Sequence, residues 1–144
     1  MNRTLFEENV YLSLVDEGAT LFEQGNHLAA HKCFLKAFQM HPESPITLFN
    51  LGRSLEELRD IRSIDFYEAA VSMGSVNASY QLATIYSQNS SPGYKEATIR
   101  HLNLYLNNTR DTDECLQWAK QRLNELAPAP SKPVLVWSKG KRVA

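Results

Sequence analysis

The chain has 144 residues, 43% of them hydrophobic, which is the size and composition of one domain with its own core. No run approaches the ~20 apolar residues a membrane helix needs, and Met1 to Glu8 has one basic residue and no apolar stretch, so it does not read as a secretory signal and a cytoplasmic protein is expected. The formal net charge of -1 conceals an acidic body, with 11 Lys and Arg against 16 Asp and Glu up to residue 126, followed by a basic tail of four cations and no acid, an arrangement that argues against a nucleic-acid-binding core.

Seven helices are predicted. The first runs from about Leu5 to Gln24 and stops at Gly25-Asn26, and the second from His27 to His41, ended by Pro42. Ser44 as N-cap and Pro45 at the first helical position open the third, which continues to about Leu58. Asp60 caps a fourth to about Met73, before Gly74. The fifth covers about Asn77 to Gln88, a long turn Asn89 to Gly93 follows, and the sixth covers about Tyr94 to Asn107. Acids in Asp111-Thr112-Asp113-Glu114 suit a helix N-terminus and start a seventh helix to about Leu126. That helix carries Cys115, Trp118, Ala119, Leu123 and Leu126 at three- and four-residue spacings, with Trp118 expected to lie on the preceding pair.

Beyond it, Pro128, Pro130 and Pro133 exclude helix and favour extended backbone. Val134-Leu135-Val136-Trp137 then sits beside lysines as a short docking segment, with three destinations open: its own body, another subunit, or a partner.

A repeat runs through this order. Gly18-x-x-Leu21 and Gly52-x-x-Leu55 lie 34 residues apart, and Phe34-x-x-Ala37 and Tyr67-x-x-Ala70 lie 33 apart. A period in this range marks helical hairpins that each expose an apolar face until the next stacks on it. Leu14, Gly18, Leu21, Gly25, Ala30, Phe34, Ala37 and Pro42 resemble the tetratricopeptide repeat, and Gly74, Ala78, Leu82, Ala83 and Tyr86 are similar to its Sel1-like variant. The resemblance implies an all-α, right-handed solenoid over residues 1–126, with units at about 11–44, 45–75 and 76–109, a capping helix at 111–126 and an extended tail at 127–144.

The resemblance also implies where function lies. The first helix of each unit lines a concave groove in this family, which places Leu12, Val15, Ala19 and Phe22, then Ile46, Phe49, Asn50 and Arg53, then Asn77, Tyr80, Gln81 and Thr84 along it. The expected partner is a protein or peptide segment, with apolar anchors and main-chain hydrogen bonds to the amides, and neither nucleic acid nor membrane; self-association is the other route. Co-chaperone members clamp acidic chaperone tails with cations. At the matching places stand Val15, Ala19, Asn50, Asn77 and Gln81, so a carboxylate would lose its hydration without a charged partner.

Chemistry-bearing motifs are scarce. His27 and His31 sit four apart on one helix but lack a third ligand nearby in sequence. His101 falls in the slot of Phe34 and Tyr67, which favours a core role, and Cys33 and Cys115 lie far apart with no CxxC spacing. Common nucleotide and hydrolase signatures are missing. The chain therefore reads as a non-catalytic adaptor or scaffold without cofactor or metal, with a small chaperone like those of type III secretion, or a structural protein assembling through its tail, as alternatives.

Overall fold

Local chemistry sets the helix boundaries in the computed structural model, which describes residues 4–128 and the backbone of 136–138 and 141–143. Helix α1 (Leu5–Glu23) opens with a reciprocal pair: Thr4 Oγ1 accepts the Glu7 N–H, and the Glu7 carboxylate accepts the Thr4 N–H. It ends at Gly25, whose φ of +81° is the left-handed conformation that glycine adopts without steric cost. Asn26 caps α2 (His27–Met40), and Ser44 with Pro45 starts α3 (Pro45–Glu57) as expected. Helix α4 (Arg62–Ser72) stops before Gly74 at φ +92°, after which Ser75 caps α5 (Val76–Tyr86). Helix α6 is Pro92–Asn108, and α7, capped by Asp113, is Glu114–Leu126.

Some boundaries differ from the sequence reading. Helix α6 begins at Pro92, because proline supplies the fixed φ of a first helical turn and sacrifices no hydrogen bond there; the loop expected over Asn89 to Gly93 is correspondingly shorter. Helix α5 ends at Tyr86 instead of Gln88. Ile61, not Asp60, precedes α4, yet the Asp60 carboxylate still accepts the Arg62 backbone N–H at 2.9 Å. The Arg62 guanidinium on that carboxylate holds its pKa at about 2.

Consecutive helices pack pairwise, α1 on α2, α3 on α4 and α5 on α6, and each pair meets the next through α2–α3, α4–α5 and α6–α7. The repeated glycines have a steric cause. A Cβ on Gly18 would sit 2.5 Å from Phe34 Cε1, and one on Gly52 would sit 2.6 Å from Tyr67 Cδ1. The first two pairs therefore close only because α1 and α3 offer bare backbone to the aromatic of the helix that follows.

Three apolar clusters follow at the junctions. Ala30, Phe34 and Leu51 join the first pair to α3; Leu48, Tyr67, Ala70, Ala78 and Leu82 join the second pair to α5; Ala83, Leu102, Tyr105 and Ala119 join the third pair to α7. The odd-numbered helices run in the same sense. Tyr11 near the start of α1 bonds Ser44 and Thr47 at the start of α3, while Phe22 near the end of α1 meets Arg53 near the end of α3.

Residues 4–128 are thus all helical outside their turns, and among the described residues no helix is long and apolar enough to cross a membrane. After α7, β1 (Val136–Ser138) pairs antiparallel with β2 (Lys141–Val143), with Val136 opposite Val143 and Trp137 opposite Arg142. The expectation that Val134, Leu135, Val136 and Trp137 dock lies outside the described side chains.

Candidate functional site

Arg53 stands at the centre of the face formed by the odd-numbered helices. Its guanidinium lies 4.1 Å from the Phe22 ring centroid and 5.7 Å from that of Phe49, with Glu23 Oε1 3.9 Å from Nη2. The stack desolvates part of the cation and fixes its long side chain across α1 and α3.

Three cavities surround this centre. One of about 310 Å³ lies between the starts of α3 and α5 and is lined by Ile46, Phe49, Asn50 and Asn77 among others. One of about 150 Å³ is lined by Phe22, Arg53, Glu56, Glu57, Tyr67 and Gln81. A third, of about 190 Å³, runs from Phe49, Asn77, Tyr80 and Gln81 to Tyr105, Asp111 and Cys115. Phe49, Asn77 and Gln81 each belong to two cavities and so make them one strip.

Eight of the residues singled out in the sequence meet there: Phe22, Ile46, Phe49, Asn50, Arg53, Asn77, Tyr80 and Gln81. Leu12, Val15 and Ala19 lie further back on α1, with Leu12 and Ala19 exposed, and line none of these cavities. Thr84 is outside them too, and its hydroxyl is occupied by the Gln81 carbonyl at 2.7 Å.

At the far end of the strip Trp118 lies on the third pair, as its spacing on α7 leads one to expect, but its place beside this face is not among the sequence expectations. Trp118 packs edge-on against Tyr80 with centroids 5.5 Å apart, and Arg122 donates to the Ser87 carbonyl at 3.2 Å, so α7 runs alongside α5 in the same direction. It therefore extends the face as well as covering the core. The three-residue spacing of Cys115 and Trp118 carried this signal.

Polar chemistry on the strip is uneven. Tyr67 O–H donates to Glu56 Oε2 at 2.8 Å, Tyr105 O–H donates to Asp111 Oδ2 at 2.7 Å, and His27 Nε2 lies 3.8 Å from Glu57. Against these carboxylates stands Arg53 alone among the cavity-lining residues. Burial, reinforced by the Cys115 thiol, pushes the Tyr80 phenol up to about 12, so it stays a neutral hydroxyl at neutral pH. Asn50, Asn77 and Gln81 make no side-chain hydrogen bond within the described residues.

Other titratable groups serve packing. His27 lies against the Phe22 ring while His31 Nδ1 pairs with Ser54 Oγ at 2.9 Å, so the two histidines have different neighbours. Among the described residues no three His, Cys, Asp or Glu side chains converge as metal ligands. His101 is buried beside Glu68, and burial raises the pKa of the Cys33 thiol, which keeps it protonated. A separate apolar cavity of about 460 Å³, lined by Ile64, Tyr86, Tyr94 and Ala97 among others, belongs to α4 to α6 and is lined by none of the strip residues.

No family model matches this chain, and no curated protein matches it. The fold and the strip define its class: an all-helical stack of paired helices with one aromatic and amide-lined face.

Proposed function

We propose that the chain is a non-catalytic adaptor or scaffold of the tetratricopeptide and Sel1-like kind, a right-handed solenoid that holds an extended protein or peptide segment on the strip between Phe22 and Tyr80. The observation that carries this reading is the set of amides. Asn50, Asn77 and Gln81 face cavities without internal side-chain partners. An amide offers both donor and acceptor, which matches the alternating N–H and C=O of an extended main chain. The rings of Phe22, Phe49 and Tyr80 beside them supply apolar area for side-chain anchors, and large rigid aromatics provide such area at low entropic cost.

The test compares capture of binding proteins from source-cell lysate by the wild type and by an Ile46→Asp, Asn77→Ala variant. Ile46 is 61% exposed, so the change places a charge at the rim of the largest strip cavity without opening the core. Specific partners should be lost with unchanged helicity by circular dichroism. Retained capture would move the binding surface off this face.

A further inference from the structure

The tail holds a segment whose chemistry is the complement of the strip. Val134-Leu135-Val136-Trp137 is followed within five residues by Lys139, Lys141 and Arg142. We propose that this C-terminal segment occupies the strip of its own chain, as an internal competitor that any partner must displace. The inference rests on the reading of the strip as a peptide-binding face.

Four observations carry it. First, β1 and β2 pair over only three residues each, and a two-stranded hairpin of that size is marginal in water without a surface to cover it. Second, the register sets Val136 opposite Val143 and Trp137 opposite Arg142, so one short hairpin holds apolar and cationic residues in adjacent pairs. Third, the strip offers Glu56, Glu57 and Asp111, with Glu23 at its edge, and its one cation, Arg53, already lies between two rings and beside Glu23.

Fourth, the chain reaches. The bond from Arg122 to Ser87 sets the end of α7 beside the end of α5, and Glu56 and Glu57 lie at the same end of α3, two helices away. Helix spacings of 8–10 Å make that roughly 20 Å, whereas the segment from Leu126 to Trp137 spans up to about 36 Å when extended. A tethered segment also has an effective concentration in the millimolar range, on the order of 1 mM, which favours the chain's own strip over a second copy's. The apolar cavity between Ile64 and Tyr94 is the weaker host, since none of its lining residues is acidic and so none meets the cations of the tail.

The chemistry of an external partner follows from this occupant: an apolar or aromatic anchor followed by lysine or arginine. Zero-length carbodiimide coupling tests the contact, because it joins an ammonium only to a carboxylate it touches. Full-length chain should be coupled as an equal mixture of unlabelled and nitrogen-15-labelled protein and mapped by peptide mass spectrometry. The expected products join Lys139 or Lys141 to Glu23, Glu56 or Glu57 in light–light and heavy–heavy peptides only. They should disappear in 1 M salt, where the screening length is about 3 Å, and in Trp137→Ala, which keeps every reacting group.

Mixed light–heavy products would overturn the inference in favour of exchange between copies. Coupling to acids off the strip, no coupling, or coupling indifferent to salt and to Trp137 would overturn it outright. The binding-face reading is scored separately by the Ile46→Asp, Asn77→Ala variant. Tail coupling elsewhere, with capture still dependent on that variant, sinks the tail inference and keeps the face; coupling on the strip, with capture indifferent, keeps the tail inference and sinks the face.

Discussion

Gly52 and His101 illustrate how single positions hold the pairs together. Replacing a helical glycine by alanine ordinarily gains about 0.8–1 kcal/mol of helix propensity. At Gly52 the new methyl would meet the fully buried Tyr67 ring at 2.6 Å, and that ring is anchored through its hydroxyl to Glu56. Overpacking of this kind costs about 1–3 kcal/mol and outweighs the propensity gain. Gly52→Ala should therefore lower the urea midpoint, while Gly93→Ala, where no atom lies within 4 Å of the built Cβ, should raise it. A gain at both positions would show that the pair can open without cost.

His101 sets a pH dependence. Its ring is 1% exposed, Nδ1 lacks a partner, and Nε2 lies 3.3 Å from Glu68, which also accepts the Tyr86 hydroxyl; Arg100 is the cation beside it. Burial lowers its pKa below 6.5, opposed by Glu68 and assisted by Arg100. The unfolded chain then takes up the proton before the folded one does. The neutral ring's contribution is complete above pH 6.5 and is lost as pH falls through the lower folded value. The melting temperature should drop between pH 7 and pH 5, and His101→Phe, which places in this slot the residue that Phe34 supplies to the first pair, should flatten that part of the profile. An unchanged slope would assign the drop to other groups.

At the scale of elements, the turn after α3 is the weak copy of the turn after α1. Gly25 takes φ +81° in the first; Arg59, 34 residues later, takes φ +57° in the second. A side chain in the left-handed region costs about 1–2 kcal/mol, partly offset for glycine by about 0.5–1 kcal/mol of extra chain entropy. Arg59→Gly should stabilise by up to about 1 kcal/mol in urea denaturation, whereas Arg59→Ala, which retains Cβ, should not; equal effects would mean that the turn stores no strain.

That conformation could not be read from the arginine itself, since it belongs to the backbone closure of α3, in which Asp60 N–H donates to the Leu55 carbonyl and Arg59 N–H to that of Glu56. Ser44-Pro45, Gly25 and Gly74 were legible for the opposite reason, since their local chemistry alone ends or starts a helix. Pro92 carried two meanings, turn or first helical residue, and only the packed structure chooses. The strip divides in the same way. Phe22, Phe49, Asn77 and Gln81 were expected there from the resemblance to the tetratricopeptide repeat, but Cys115 and Asp111 join it through the direction of α7, which long-range contacts with Tyr80 and Ser87 determine.

Among the described residues the apolar interior is divided into three clusters, each bridging one helix pair and the helix that follows. Stability in such a chain is close to a sum of pair stabilities and nearest-neighbour couplings, so loss at one junction should be felt mainly on its two sides. Leu82 is fully buried in the cluster that joins α3 and α4 to α5. Removing its side chain in Leu82→Ala costs about 2–5 kcal/mol by lost burial and cavity formation, and that loss falls on the junction between the second and third pairs. Native-state hydrogen exchange should then show α5 to α7 losing protection at lower denaturant than α1 and α2. Leu51→Ala, at the junction that carries Ala30 and Phe34, should reverse the order and expose α1 and α2 first. Equal loss of protection in every helix for both variants would mean that the seven helices unfold as one cooperative body. In that case the strip across α1, α3, α5 and α7 would itself couple the pairs, because it is the surface that all of them share.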